Sequence, residues 1–150
     1  MKLTRASSYA IHALVYMGAQ RHSRPVASHT IALARGIPER FLLKVLKPLV
    51  AARVLHSIKG PNGGYRLARS PNEITLLEVL EAVDGPIRGQ GSFSRMETDV
   101  ALNRRLDKIC DQAAEHARDQ FQKVRLSELA SVGAGIRGQR PGARAPNSAR

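Results

Sequence analysis

Residues 59–67 read Lys-Gly-Pro-Asn-Gly-Gly-Tyr-Arg-Leu, and this stretch decides the fold. It follows an apolar, partly alternating run over residues 54–58, and its Pro-Asn-Gly-Gly segment tolerates the positive φ at which two strands reverse direction. Beyond the turn, Tyr65 and Leu67 share one face of the returning strand while Arg66 takes the other. The pattern predicts a β-hairpin with basic residues, which by itself fits an ordinary surface hairpin as well as the wing of a winged helix.

Two helices joined by a tight turn are predicted before the hairpin, over residues 26–53. Ser28 is the expected N-cap of the first helix, and Gly36 is expected to end it. Pro38 fits the first position of the second helix, where its missing N–H costs nothing. Such a helix-turn-helix sets its second helix into the major groove of DNA, so the hairpin is interpreted as a wing.

The second helix is predicted to have an apolar face and a charged face. The apolar residues recur at helical spacing and are expected in the core: Phe41, Leu42, Val45, Leu46 and Leu49. The remaining residues form the expected reading surface: Glu39, Arg40, Leu43, Lys44 and Lys47. Pro48 predicts either a kink or a restart of this helix, because an internal proline removes a backbone hydrogen bond.

Positive charge is concentrated on the same half of the chain, within a formal net charge of +12. Residues 1–84 hold 12 Lys and Arg against 5 Asp and Glu, whereas residues 85–131 hold 8 against 7. The last nineteen positions, residues 132–150, add four Arg and no acid. This excess favours phosphate contact and salt-dependent binding, and its alternative is a solvated basic surface without a function.

Several protein classes are excluded by the sequence. No stretch reaches the roughly 18 apolar residues that span a bilayer, and residues 1–20 show helical spacing rather than a cleavable signal, so we expect a cytoplasmic protein. The single cysteine excludes an intrachain disulfide framework and fits a reducing compartment. We expect no enzyme, because the chain has no Ser/His/acid set and Gly60–Gly64 lacks the ending of a phosphate-binding loop.

The length of 150 residues, 43% of them hydrophobic, fits one compact domain with an accessory helix. We assign residues 1–86 to the winged helix-turn-helix domain, which a helix over residues 74–83 closes and the Asp84-Gly85-Pro86 sequence ends. Residues 87–97 are predicted to be a flexible connection. Residues 98–131 are predicted to hold a long helix and a short C-terminal helix, and residues 132–150 a disordered basic tail.

The long helix is predicted to carry an apolar stripe on one face. The stripe consists of Leu102, Leu106, Ile109, Ala113, Ala117 and Phe121. An exposed amphipathic helix needs an apolar partner, and a second copy of the chain is the simplest one, so we expect a homodimer. The alternative is that the helix packs back onto its own domain.

Several segments together resemble the Rrf-two (IscR/NsrR-like) family of bacterial winged-helix transcription regulators. They are residues 8–14, Gly36-Ile37-Pro38 with Phe41-Leu42, residues 59–68, Ile74-Thr75-Leu76 and residues 81–86, and the resemblance covers about residues 1–131. It implies a mainly α-helical, dimeric DNA-binding protein with a small β-wing, usually a repressor, whose long C-terminal helix crosses to the partner.

The resemblance also implies roles for individual residues. It implies that Glu39, Arg40, Leu43 and Lys44 face bases and phosphates in the major groove, and that Lys59 enters or flanks the minor groove. Ser28, Lys47, Asn62 and Arg66 complete the predicted DNA-binding set. Arg53 stands where family members commonly have a helix-ending glycine, so a left-handed conformation there would be mildly strained.

The chain departs from the resembled family in its cysteines. Many members hold an iron–sulfur cluster with three cysteines in the segment equivalent to residues 87–105, and this chain has none there. Cys110 is its only cysteine, and the five histidines lack paired metal-binding spacing, so we predict no metal site and no cofactor. Cys110 is interpreted either as a redox switch on the dimer helix or as a small buried hydrophobe.

The leading hypothesis is therefore a homodimeric, sequence-specific transcription regulator, with double-stranded DNA and a second copy of the chain as its partners. An unidentified protein or small-molecule effector would complete the set, and no membrane is expected. A different hypothesis is a protein-interaction regulator that binds a metabolic enzyme or another regulator, with DNA binding secondary.

Overall fold

The computed structural model describes residues 3–20, 24–89 and 99–135, and it confirms a mainly α-helical winged helix. Its elements are α1 (Arg5–Gly18), α2 (Ser28–Arg35), α3 (Glu39–Ala51), β1 (Leu55–Ile58), β2 (Gly64–Leu67), α4 (Leu76–Asp84), α5 (Val100–Lys123) and α6 (Leu126–Gly135). Most of the predicted connection and most of the predicted tail lie outside the described residues. None of the described helices is both long and apolar enough to cross a membrane.

Helix α1 is the centre of the core. Ala10, Ala13 and Leu14 on it are fully buried, and the helix contacts α2, α3, α4 and α6. Helix α6 approaches it so closely that a Cβ added at Gly133 would lie 2.7 Å from Val15 Cγ1. Helix α6 continues to Gly135, so residues 132–135 are helical and do not belong to the predicted disordered tail.

The structure confirms four of the five core residues that were predicted on α3, because Leu42, Val45, Leu46 and Leu49 are buried. The prediction for Phe41 is wrong, since its side chain is 38% exposed. At about 100° of rotation per residue, Phe41 lies roughly 90° from the centre of the buried stripe and so at the boundary of the two faces. Pro48 lies inside a single helix that continues to Ala51.

The ends of α2 and α3 differ in detail from the prediction. Gly36 ends α2 in the left-handed region as predicted, with φ 62°, and Arg53 after α3 also adopts a positive φ of 58°. Ser28, however, is the first residue of α2 and not its cap, and Pro38 is the N-cap of α3 and not its first residue. The Ser28 hydroxyl is engaged elsewhere, since it donates to Glu39 Oε1 at 2.6 Å.

The wing is an antiparallel pair of strands with Leu55 opposite Leu67 and Ile58 opposite Gly64. A third segment joins it, because Val26 and Tyr65 exchange two backbone hydrogen bonds of 2.8 Å each. Gly64 makes this possible: a Cβ there would lie 2.4 Å from the carbonyl oxygen of Val26, and its φ is 147°. The wing is thereby fixed to the chain immediately before α2.

Side-chain hydrogen bonds close the domain at both ends of α4. At its C-terminal end, Asp84 accepts hydrogen bonds from Thr4 at 2.8 Å and from the buried Ser7 at 2.5 Å, which ties α4 to the start of α1. At its N-terminal end, Thr75 and Glu78 form a capping box. Burial raises the pKa of Glu78, but hydrogen bonds from Thr75 and the ion pair with Arg69 outweigh it and hold that pKa below its usual value.

Substitution of Gly64 by alanine is expected to destabilise the protein by about 1–3 kcal/mol, because the new methyl group meets the Val26 carbonyl at a backbone angle unsuited to L-residues. Gly60→Ala is the matched control, since Gly60 also has a positive φ, of 108°, but has nothing within 4 Å of its added Cβ. Urea denaturation measures both. Equal losses for the two variants would show that the contact with Val26 is unimportant.

Candidate nucleic-acid interface

The exposed face of α3 carries the predicted reading surface. Glu39, Arg40, Leu43, Lys44 and Lys47 are all exposed, while the opposite face of the helix is buried. Leu43 is 42% exposed and lies among these charged side chains, one helical turn from both Glu39 and Lys47. The face therefore combines three cations with one apolar side chain that is available for contact.

A hydrogen bond joins the two helices of the helix-turn-helix at this face. The Ser28 hydroxyl, at the start of α2, donates to the Glu39 carboxylate at the start of α3. Glu39 lies in the first turn of α3, where a negative charge is favoured by the helix dipole. The bond holds the N-terminal end of α3 against α2 and gives both residues a positioning role within the predicted DNA-binding set.

Phe41 is a feature of this surface that the sequence analysis missed. The Arg40 guanidinium carbon lies 4.6 Å from the centre of its ring, and the Lys44 ammonium nitrogen lies 5.7 Å from it. Both distances are within the range of cation–π attraction. The ring is therefore attracted to two of the side chains in the predicted DNA-binding set, and the signal in the sequence was an aromatic residue flanked by cations at i−1 and i+3.

The wing presents the remaining predicted DNA-binding residues. Lys59 and Asn62 are exposed at its turn, where Gly63 N–H donates to the Gly60 carbonyl at 2.9 Å. Arg66 is exposed on β2, opposite His56 of β1. The structure thus places these three residues on the wing and the other six on the helix-turn-helix, while their contact with DNA stays a prediction.

The predicted dimer stripe on α5 is divided between two environments. Leu102 and Ile109 are 51% and 46% exposed, and Ala113 is also exposed. The other three predicted residues, Leu106, Ala117 and Phe121, are half-buried. Helix α5 contacts α4, and Arg118 forms an ion pair with Glu81, so part of α5 packs on its own domain while an apolar edge remains exposed.

Cys110 is half-buried on α5. It lines a cavity of about 590 Å³ between α5 and the segment that follows α4, together with Asp84, Arg88 and Ala114. Within residues 3–20, 24–89 and 99–135, no group of three or more His, Cys, Asp or Glu residues is arranged to hold a metal ion. One thiol per chain does not fit three-cysteine ligation of an iron–sulfur cluster.

Comparisons with known proteins agree with this geometry. The sequence model of the Rrf2 family, described as an iron-dependent transcriptional regulator, matches residues 3–131. An rrf2-like HTH-type transcriptional regulator of Rhodobacter capsulatus is 32% identical over 133 residues, which are 87% of this chain and 85% of that protein. The HTH-type regulator Rv1287 of Mycobacterium tuberculosis is 36% identical over 87 residues, 58% of this chain. The match spans just over half, 54%, of the mycobacterial protein.

The fold recurs in a solved structure. CymR, the global cysteine regulator of B. subtilis, superposes with a TM-score of 0.70 at 22% sequence identity, over 88% of this chain and 98% of CymR. At this level of identity the likeness concerns the fold alone. It supports the assignment of the helix-turn-helix, the wing and the following helices to one architecture.

The hydrogen bond between Ser28 and Glu39 is expected to act as a coupled pair. Ser28→Ala and Glu39→Ala should each lower the free energy of unfolding by up to about 1 kcal/mol, and the double variant should lose little more than either single variant. Thr30→Ala, at an exposed position of the same helix, is the control. Urea denaturation of the four proteins gives the coupling energy, and strictly additive losses would contradict a bond between the two side chains.

Proposed function

Because the chain belongs to the Rrf2 family of transcriptional regulators, we propose that it is a homodimeric repressor that binds a two-fold symmetric DNA sequence. The observation that carries this proposal is the exposed basic face of α3, held beside a wing whose returning strand is hydrogen-bonded to the residue preceding the cap of α2. A helix in the major groove and a wing beside it is the binding geometry that this arrangement suits.

In the proposed complex, cations and polar groups on two elements contact the DNA backbone. Arg40, Lys44 and Lys47 of α3 bind phosphates that border the major groove, and release of the counterions of those phosphates supplies much of the affinity. Lys59 and Asn62 at the turn of the wing reach the adjacent minor groove. The Phe41 ring limits the motion of Arg40 and Lys44 before DNA arrives, which lowers the entropy lost when they bind.

Leu43 is the proposed source of apolar base recognition. It is 42% exposed in the middle of a charged face, where contact with water does not stabilise an apolar side chain. In the major groove the methyl group of thymine is the apolar feature that such a side chain contacts. Leu43 would therefore favour an A·T pair at one position of each half-site.

The exposed edge of α5 supports the proposed dimer. Leu102 and Ile109 are 51% and 46% exposed on the same face of a helix whose other side contacts α4. A second copy of α5 would cover this edge and would present two reading helices about one DNA turn apart. The alternative in which α5 only packs on its own domain leaves these two large apolar side chains in water.

We also propose that this regulator works without the three-cysteine cluster that is expected in many members of its family. The support is the donor set: Cys110 is the single thiol of the sequence, and it lies within α5 rather than in the segment before it. No step of the proposed DNA binding passes through a metal. Repression would follow from occupation of the operator itself.

Two substitutions test the proposed DNA contacts on a duplex selected from random sequence. Lys44→Glu is expected to abolish binding, because it places a carboxylate against the phosphates. Lys59→Ala is expected to weaken binding and to reduce the slope of log affinity against log salt by about 0.9, the value for one phosphate contact. Fluorescence anisotropy between about 50 and 200 mM salt measures both effects.

Arg104→Gln, at an exposed position on the charged side of α5, is the control for loss of one positive charge. Unchanged binding of Lys44→Glu and Lys59→Ala would reject the proposed interface. A stable complex with another protein from cell extract that survives nuclease treatment, with no selected duplex, would favour the protein-interaction role instead.

The dimer is tested by a charge on the exposed edge of α5. Ile109→Glu is expected to shift the protein to a monomer, because the interface would have to bury an unpaired carboxylate. Gln122→Glu introduces the same charge at an exposed position on the other side of α5, and it should leave the assembly unchanged. Sedimentation velocity at several concentrations distinguishes the two, and an unchanged dimer in Ile109→Glu would place the interface elsewhere.

A further inference from the structure

A basic cavity lies at the base of the wing, away from its turn. It has a volume of about 350 Å³ and is bordered by the C-terminal part of α1, the segment before α2 and both wing strands. Three of its lining side chains are arginines, Arg24, Arg66 and Arg69, and His56 also lines it. Among the described residues that line it, none is acidic and none belongs to α3 or to the turn of the wing.

The positive charge of this cavity is only partly compensated. Arg69 forms an ion pair of 2.7 Å with Glu78, which lies outside the lining. Arg24 and Arg66 are exposed, and no carboxylate among the described residues pairs with either of them. His56 stands directly opposite Arg66 in the strand register. Like charges that converge on one concavity repel each other, and a bound anion would turn that repulsion into attraction.

The frame that holds these side chains is fixed. Tyr65, which also lines the cavity, is bound through its backbone to Val26 by two hydrogen bonds. Arg24 comes two residues before Val26 and Arg66 comes one residue after Tyr65, and both arginines line this cavity. Guanidinium groups have a planar set of donors that matches the oxygens of phosphate, and they bind it in a bidentate manner.

We propose that this cavity is an oxyanion site that holds one phosphate group through Arg24 and Arg66, with Arg69 adding positive charge. The phosphate would come either from the DNA backbone beyond the duplex covered by α3 and the turn of the wing, or from a free phosphate-bearing anion. The site goes beyond the proposed reading surface, because a phosphate contact carries no sequence information and the cavity needs no DNA in order to be filled.

Inorganic phosphate tests the site on the protein alone. The thermal stability of the full chain is measured as chloride is replaced by phosphate at constant ionic strength. A ligand that binds only the folded state raises the midpoint in a saturable manner. Arg24→Gln is expected to increase the phosphate dissociation constant about tenfold, the effect of losing one charge-assisted contact. Arg104→Gln removes the same charge from α5 and should behave as the parent protein does.

A second measurement identifies DNA as the source. The parent, Arg24→Gln and Arg104→Gln are titrated with the selected duplex and with the same duplex extended by several base pairs on each side. If the backbone fills the site, Arg24→Gln loses affinity only for the extended duplex, and its salt dependence falls by about 0.9 in slope.

The outcomes are separable from those of the proposed function. Saturable stabilisation by phosphate that Arg24→Gln weakens supports the site even if no duplex is bound. A loss confined to the extended duplex supports it with DNA as the source. The site is rejected if phosphate raises the thermal midpoint of the parent protein no more than chloride does, and if Arg24→Gln binds both duplexes with the same affinity as Arg104→Gln.

Discussion

The two hydrogen bonds between Val26 and Tyr65 are the constraint on which the arrangement of the domain depends. They fasten the returning strand of the wing to the residue before the α2 cap, so that the wing and the helix-turn-helix share one frame. Each backbone group that they use would otherwise have to be satisfied by water at the edge of a two-stranded hairpin, which is marginal on its own. Gly64 permits the contact because the Val26 carbonyl occupies the space of a Cβ.

Helix α3 has one buried apolar face, which contributes to stability, and one exposed face, which carries the charged residues. Its buried stripe joins a core that is centred on α1, and this packing stabilises a helix whose other face gains nothing from burial. The exposed cations repel one another. This electrostatic repulsion is partly offset by the attraction of Arg40 to the Phe41 ring and by the negative charge of Glu39 at the start of the helix. Phe41 thus lies at the boundary of the two faces, where its ring contacts two of the cations.

The features that follow from local chemistry were predictable from the sequence. The turn of the wing, the left-handed cap at Gly36 and the buried stripe of α3 depend on glycine φ angles and helical period, which neighbouring residues determine. The structure differs from the prediction at Ser28 and at residues 132–135, where contacts between distant residues are involved. The Ser28 hydroxyl donates a hydrogen bond to the Glu39 carboxylate, eleven residues away, and residues 132–135 belong to α6, which packs on α1. Arg24 and Arg66 were likewise too distant in sequence for their common cavity to be foreseen.

Charge alone would not make this surface selective, because phosphates are the same along every duplex. Discrimination requires contacts with base edges, each worth about 1–3 kcal/mol for a correct base, and one exposed face of a thirteen-residue helix reaches only a few base pairs. A single copy would therefore combine strong, salt-dependent attraction with weak selectivity. Two copies joined through the exposed edge of α5 would combine the base contacts of two α3 helices. Once the first copy is bound, the second would bind its half-site at a high effective concentration. On this argument the apolar edge of α5 matters to selectivity as much as the residues of α3 do, although it lies on a different helix.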